Sequence, residues 1–412
     1  MTQTTPIPFA DPRWRKEAIA CAIVLLLGCV LRLVDLQGVV HRSPDENTYA
    51  SQASEISTHS GRALADQWRR DPSLFQYPSP VRIGYLYPLS WAQRVTGNNT
   101  PSTGAFLACM ASIAALLLLG LIAWRHLSPR MAVYAMLLFA VCPPELMMAR
   151  RNWMECCTGC IALLLLLLCL ECLAQPRPRA WLIAAGCCAG WSITVKETSM
   201  ADAALLVILL CFVLLRQKQW SSLATVLGST LITAAMGATW LASTIGGTAQ
   251  VIDFFRQTYA TELTTPYDID YQAGSFVSWI YCIWVSDPLL FTLAAAGILL
   301  LLRNRSRVLL WSLGISVIFL ALPLFSAHRL NLRFSSLGFA PLCLIGALTV
   351  EAAWRSIQSD PMATERRWVG RFAIAVLLCA LAIDYLSFRE RFVRTDMQDL
   401  SIRMVLDQPP PF

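Results

Sequence analysis

Residues 103–124 read TGAFLACMASIAALLLLGLIAW, a stretch without one charged side chain, closed by Trp124 and followed at once by Arg125. A helix that crosses the hydrocarbon core of a bilayer needs about 20 predominantly apolar residues, and this stretch supplies them. The pattern repeats along the chain. Further apolar runs lie near 17–35, 131–148, 156–174, 180–195, 199–215, 221–242, 288–302, 308–326, 335–353 and 370–387. Over 412 residues only 14% are charged and 56% are hydrophobic, and the mean hydropathy is +0.53. Soluble domains carry about 25% charged residues, so a water-soluble enzyme and a disordered chain are both excluded. The sequence predicts an all-α, polytopic membrane protein with about eleven transmembrane helices and amphipathic surface helices in the first outer loop.

The formal charge of +7 is a matter of orientation rather than of nucleic-acid binding. Basic residues gather in alternate short loops: Arg13, Arg15 and Lys16; Arg125 and Arg130; Arg177 and Arg179; Arg216 and Lys218; Arg303, Arg305 and Arg307; Arg355, Arg366, Arg367 and Arg371. Under the positive-inside rule these loops are cytoplasmic. That places residues 1–16 inside, a membrane module over 17–353 with outer loops 36–102 and 243–287, an inner loop and last span over 354–387, and an outer tail over 388–412. A bacterial inner membrane is the expected setting. Two boundaries are sharper than the rest. Ser286-Asp287-Pro288 offers a helix cap followed by proline at the first helical position, so 276–285 reads as a separate interfacial helix. Pro143-Pro144 should break the third span near its outer end. Trp153, Trp240, Trp279 and Trp284 are expected at the outer interface, and Trp124, Trp181, Trp220, Trp311 and Trp354 at the inner one. Of the fifteen cysteines, most lie in apolar runs as small hydrophobes; Cys156, Cys157 and Cys160 lack the second pair a zinc site needs.

Four clusters carry the chemistry, all at the outer ends of spans. The first follows Arg32: His41-Arg42-Ser43-Pro44-Asp45-Glu46-Asn47-Thr48-Tyr49. Ser43 or Asp45 can cap a helix over about 46–57, whose small or apolar positions Tyr49, Ala50, Ala53 and Ile56 recur at helical spacing. Taken alone, the two carboxylates are better explained by the positive end of a helix than by catalysis. The second is Arg150-Arg151-Asn152-Trp153-Met154-Glu155, where arginines stand against the positive-inside trend and Glu155 lies within pairing distance of them along a helix. The third, Val195-Lys196-Glu197-Thr198, places a Lys-Glu pair in a very short turn; charges at that depth usually mark function. The fourth, His328-Arg329-Leu330-Asn331-Leu332-Arg333-Phe334, offers two arginines suited to bidentate phosphate binding, with headgroup anchoring as the plain alternative. Convergence on one face argues for one site, with carboxylates beside a phosphate-sized basic patch.

These motifs, in this order, resemble the GT-C glycosyltransferases, and within them the protein O-mannosyltransferases and lipid A aminoarabinose transferases. The resemblance rests on a first span ending in arginine before Pro44-Asp45-Glu46, on Gly190 through Thr198, on Arg151 through Glu155 and on His328 through Phe334, and it covers roughly 17–353. It implies a sugar donor on a polyprenyl phosphate, transfer with inversion to an acceptor hydroxyl on a lipid, glycan or protein, and catalytic roles for Asp45 and Glu155. Some members use a divalent metal; here His41, Glu46 or Glu197, and His328 are the residues that would hold one, and otherwise Glu46, Glu197 and His41 are structural. Independently of any family, a sugar phosphate already has a good leaving group. The chemistry needs a base near the acceptor hydroxyl and positive charge at the developing phosphate; Lys196, Arg333, His328 and Arg151 are the candidates for that charge. No P-loop or dinucleotide fingerprint is found. A transporter or lipid flippase is the chief alternative, but ionisable residues are few at mid-span and no inverted repeat is visible. A non-catalytic assembly subunit would not require a carboxylate pair and a basic patch on one face.

Overall fold

A computed structural model describes residues 14–34, 36–70, 81–173, 179–196, 198–262, 270–302, 306–325, 330–359 and 363–406. Among these the structure is helical, with a single isolated bridge between Asn331 and Ser401. Each apolar run of the sequence coincides with a helix. α1 is Arg15–Leu33, α2 Pro44–Thr58, α3 Gly61–Arg70, α4 Ile83–Thr96, α5 Pro101–His126, α6 Pro129–Val141 and α7 Pro143–Met148. Then come α8 Glu155–Leu173, α9 Arg179–Ser192, α10 Ser199–Arg216, α11 Trp220–Ile245, α12 Thr248–Glu262, α13 Phe276–Ser286, α14 Pro288–Leu301, α15 Arg307–Phe325, α16 Ser336–Ser359 and α17 Ala363–Phe388. Among the described residues, six helices are individually long and apolar enough to cross a membrane.

The proline signals act as their chemistry requires. α6 ends at Val141, and Pro143 opens the short α7 as a new helix. α13 and α14 bend by 109° at Asp287, whose Oδ1 accepts from the Leu290 amide at 2.9 Å while Pro288 takes the first helical position. The core is a bundle in which α5, α6, α8, α14 and α16 meet, with α9 packed on α11. α5 and α16 are centrally placed, as shown by Leu116, Leu119, Phe339 and Leu344, which are buried.

The first loop forms a small core of its own. α2 begins at the capping box of Ser43 and Glu46. Its predicted face, Tyr49, Ala50, Ala53 and Ile56, is buried. It packs with Leu64 of α3 and Tyr85, Leu86 and Leu89 of α4, so this face is sealed against protein rather than laid on lipid. The tryptophan assignment needs a similar correction: Trp124, Trp153 and Trp279 are fully buried. Their polar N–H groups do not draw them to a lipid interface because protein surrounds them; Trp153 donates to Ser43 Oγ at 3.1 Å and Trp279 to the Leu320 carbonyl at 2.7 Å.

After α17 the chain does not run free. Residues 389–394 form a π-turn, and the following segment pairs with the turn before α16. The Leu332 amide donates to the Leu400 carbonyl at 3.0 Å, and the Ile402 amide to the Leu330 carbonyl at 2.9 Å. This brings Asp396 and Asp399 back to the end of the bundle where α2 begins.

Candidate functional site

Three separate segments converge on Arg333. Its NH2 donates to Asp45 Oδ2 at 3.0 Å, its Nε to Glu155 Oε1 at 3.4 Å, and its NH1 lies 3.6 Å from Asp399 Oδ1. The guanidinium stacks 4.2 Å from the Trp153 ring centroid, an arrangement that suits a planar, weakly hydrated cation. Asn331 prepares this geometry locally. Its side chain accepts from the Arg333 amide at 3.0 Å and donates to Asp399 Oδ2 at 2.8 Å.

Lys196 completes the cationic side. Its Nζ donates to Glu155 Oε1 at 2.8 Å and lies 5.2 Å from the Phe334 ring centroid. Burial pushes the Lys196 ammonium below its ordinary value, and the Glu155 carboxylate opposes that shift. The turn that carries Lys196 is positioned by Gly84 at the start of α4. The Gly84 amide donates to the Thr194 carbonyl at 2.9 Å, and a side chain at 84 would meet Thr194. Arg82, two residues earlier and buried, donates to the Tyr49 hydroxyl. Asp45 sits in the first turn of α2 with its side chain 19% exposed. Burial raises its pKa above the ordinary 3.8, and Arg333 works against that rise.

Glu46 and Arg151 form a second hub directly behind. Glu46 accepts from the Ser43 and Asn152 amides at 2.9 Å each, from Arg42 NH1 at 2.8 Å and from Arg151 NH1 at 3.1 Å. Arg151 also donates to the carbonyls of His41 and Met397 at 2.6 Å. It is buried, and its NH2 lies 3.4 Å from Asp396. The expectation of Arg151 as a phosphate ligand is therefore replaced by a clamp between the first loop, the second loop and the tail. The pairing of Glu155 with Arg150 or Arg151 is corrected too: Glu155 turns to Lys196 and Arg333. It is buried with both of these cations.

His41 is exposed, with its ring facing Asp396 at 3.1 Å. Glu197 and His328 lie outside the described residues. Among the described residues no three His, Cys, Asp or Glu side chains gather to hold a metal ion; the centre of the three carboxylates is filled by Arg333. Of the residues named for a metal, Glu46 points inward onto Arg42, Arg151 and backbone amides. Sequence reasoning missed Arg82, Trp153, Asp396 and Asp399. Arg82 carried a readable signal, an isolated arginine just before an apolar helix; the others depend on long-range packing.

A sequence model of the family described as "Dolichyl-phosphate-mannose-protein mannosyltransferase" matches residues 83–242. The fold is similar to that of the Archaeoglobus fulgidus oligosaccharyltransferase AglB. Against the complex with an inhibitory peptide and a dolichol-phosphate the TM-score is 0.61 at 16% identity, covering 92% of this chain and 56% of that one. Against the apo form of the same enzyme it is 0.64 at 14%, covering 93% and 56%. ArnT from Cupriavidus metallidurans bound to undecaprenyl phosphate gives 0.55 at 15%, covering 93% of this chain and 75% of that one. The chain thus spans little more than half the length of the oligosaccharyltransferase. No curated protein sequence matches it significantly. The chain is a multi-pass membrane protein whose fold is similar to that of AglB and ArnT.

Proposed function

We propose that this protein is a membrane glycosyltransferase that moves a sugar from a polyprenyl-phosphate donor to an acceptor hydroxyl, with inversion. One observation carries the reading: Asp45, Glu155, Lys196 and Arg333, distant in sequence, form one ionic cluster at the end of a GT-C bundle. Asp45 is the base. It is the most exposed of the carboxylates around Arg333. It takes the acceptor proton as the hydroxyl oxygen bonds to the anomeric carbon from the face opposite the phosphate. The bond from that carbon to the phosphate oxygen breaks, and its electron pair leaves with the polyprenyl phosphate. Lys196 and Arg333 stabilise the charge that grows on the phosphate. Glu155 holds these two cations in register. The family match and the lipid phosphates bound by AglB and ArnT support this assignment of the donor.

On the same reading, the end carrying residues 36–102 faces the periplasm or an equivalent outer space, and the arginine-rich loops face the cytoplasm. A bacterial inner membrane is the setting we propose. The test is mass spectrometry of lipid that co-purifies with the protein, followed by product formation from a polyprenyl phosphate-sugar in detergent. Recovery of a polyprenyl phosphate and transfer by wild type support the assignment. Absence of both, with a folded protein, refutes it.

A further inference from the structure

Arg333 has three carboxylates on its guanidinium but they are not equally held. Glu155 is 1% exposed and has a second cation, Lys196, at 2.8 Å. Asp399 is 8% exposed, bonded to Asn331 at 2.8 Å, and tied down by the main-chain pairing of 400–402 with 330–332. Asp45 is 19% exposed, and its resolved ion pair is the one to Arg333 NH2 at 3.0 Å. Asp45 is thus the most exposed and least anchored of the three, and the carboxylate that a donor phosphodiester arriving at the guanidinium would displace most readily. The charges point the same way. Three carboxylates already face Arg333, Lys196 and the nearby Arg82, so an arriving anion finds cations that are matched rather than free.

We infer that the donor phosphate takes Arg333 NH2 from Asp45 and thereby releases Asp45 to meet the acceptor hydroxyl. This rests on the glycosyltransferase reading. While paired, the Asp45 carboxylate is held at Oδ2 by a guanidinium whose positive charge lowers its basicity, and it is a poorer base. Seating of the donor would then be the event that arms the base. Acceptor activation, or activation of water, is thereby tied to the presence of phosphate at Arg333. Glu155 and Asp399 stay in place and keep the guanidinium over the Trp153 ring.

The consequence is counter-intuitive: removing the base should improve donor binding. The probe is an undecaprenyl phosphate without sugar, titrated calorimetrically into the full-length protein in detergent. Asp45→Asn and Asp45→Ala should both bind it on the order of two- to fivefold more tightly than wild type, the release of one partly exposed ion pair. Asp399→Asn, whose carboxylate is anchored elsewhere, should show no such gain. Thermal melting confirms that each variant is folded. Equal or weaker binding by both Asp45 variants overturns the inference while leaving the functional reading intact, as does an equal gain in Asp399→Asn. Failure of wild type and all variants to bind the lipid phosphate overturns the functional reading itself.

Discussion

The Glu155–Lys196 pair offers the sharpest test of how the cluster works, through the variants Glu155→Gln, Lys196→Met and their combination. The two charges are 2.8 Å apart, with side-chain exposures of 1% and 5%. Removing one partner of such a buried pair strands the other and costs about 3–5 kcal/mol. Glu155→Gln leaves Lys196 facing Arg333 without its counter-ion; Lys196→Met leaves Glu155 with Arg333 at 3.4 Å. The double variant removes both charges, and Asp45 and Asp399 still balance Arg333. Its cost should fall short of the sum of the singles by about 2–3 kcal/mol. Denaturation in detergent reads stability, and product formation reads turnover. If Glu155 acts only through the cations it holds, adding Glu155→Gln to Lys196→Met lowers turnover little further. Additive losses in both measurements, or a Lys196→Met variant that stays active while Glu155→Gln is dead, would make Glu155 itself the base and refute the counter-ion assignment.

Asp45→Asn should cut transfer by about 10²–10⁴-fold, the usual span of general-base catalysis, and Asp45→Glu should also be poor because the added methylene displaces the carboxylate. Because burial raises the Asp45 pKa above 3.8, activity should be lost as pH falls through a value higher than that of an ordinary aspartate; an acidic limb in the pH–rate profile at or below about 4 contradicts this. Glu46→Gln should lower the melting temperature, since it removes the nearer of the two carboxylates on the buried Arg151, with Asp396 at 3.4 Å remaining, at a cost of about 1–3 kcal/mol; an unchanged melt argues against the clamp. Gly84→Ala should weaken lipid-phosphate binding by shifting the Lys196 turn, read by the same calorimetric titration, with unchanged affinity as the refuting result. Cysteines introduced at Asp66 and Asn98 should label from the outside of intact cells, and labelling only after the membrane is opened would reverse the orientation.

The membrane class, the helices and their breaks were legible in the sequence because each depends on local chemistry. A run such as 103–124 has one stable home, and Asp287-Pro288 or Pro143-Pro144 interrupts a helix whatever surrounds it. Asp45, Glu155, Lys196 and Arg333 stood out for a related reason: charge is costly at the end of a membrane helix, so its presence there is conspicuous. What periodicity does not encode is which charge meets which. Glu155 sits in sequence beside Arg150 and Arg151 but bonds to Lys196 and Arg333, because α8 carries its side chain toward α9 and the 331–335 turn. Asp45 and Arg333 are 288 residues apart and meet only through the packing of the bundle. Trp153 resembled an interfacial tryptophan until Arg333 and the Ser43 cap closed around it. The segment after 388 read only as an outer tail, and its amide pairing with 330–332 delivers Asp399 to the cluster. Hydropathy reports only whether a residue prefers water; ion pairing between distant segments is set by where the helices place their ends, and that was decided by the tertiary structure.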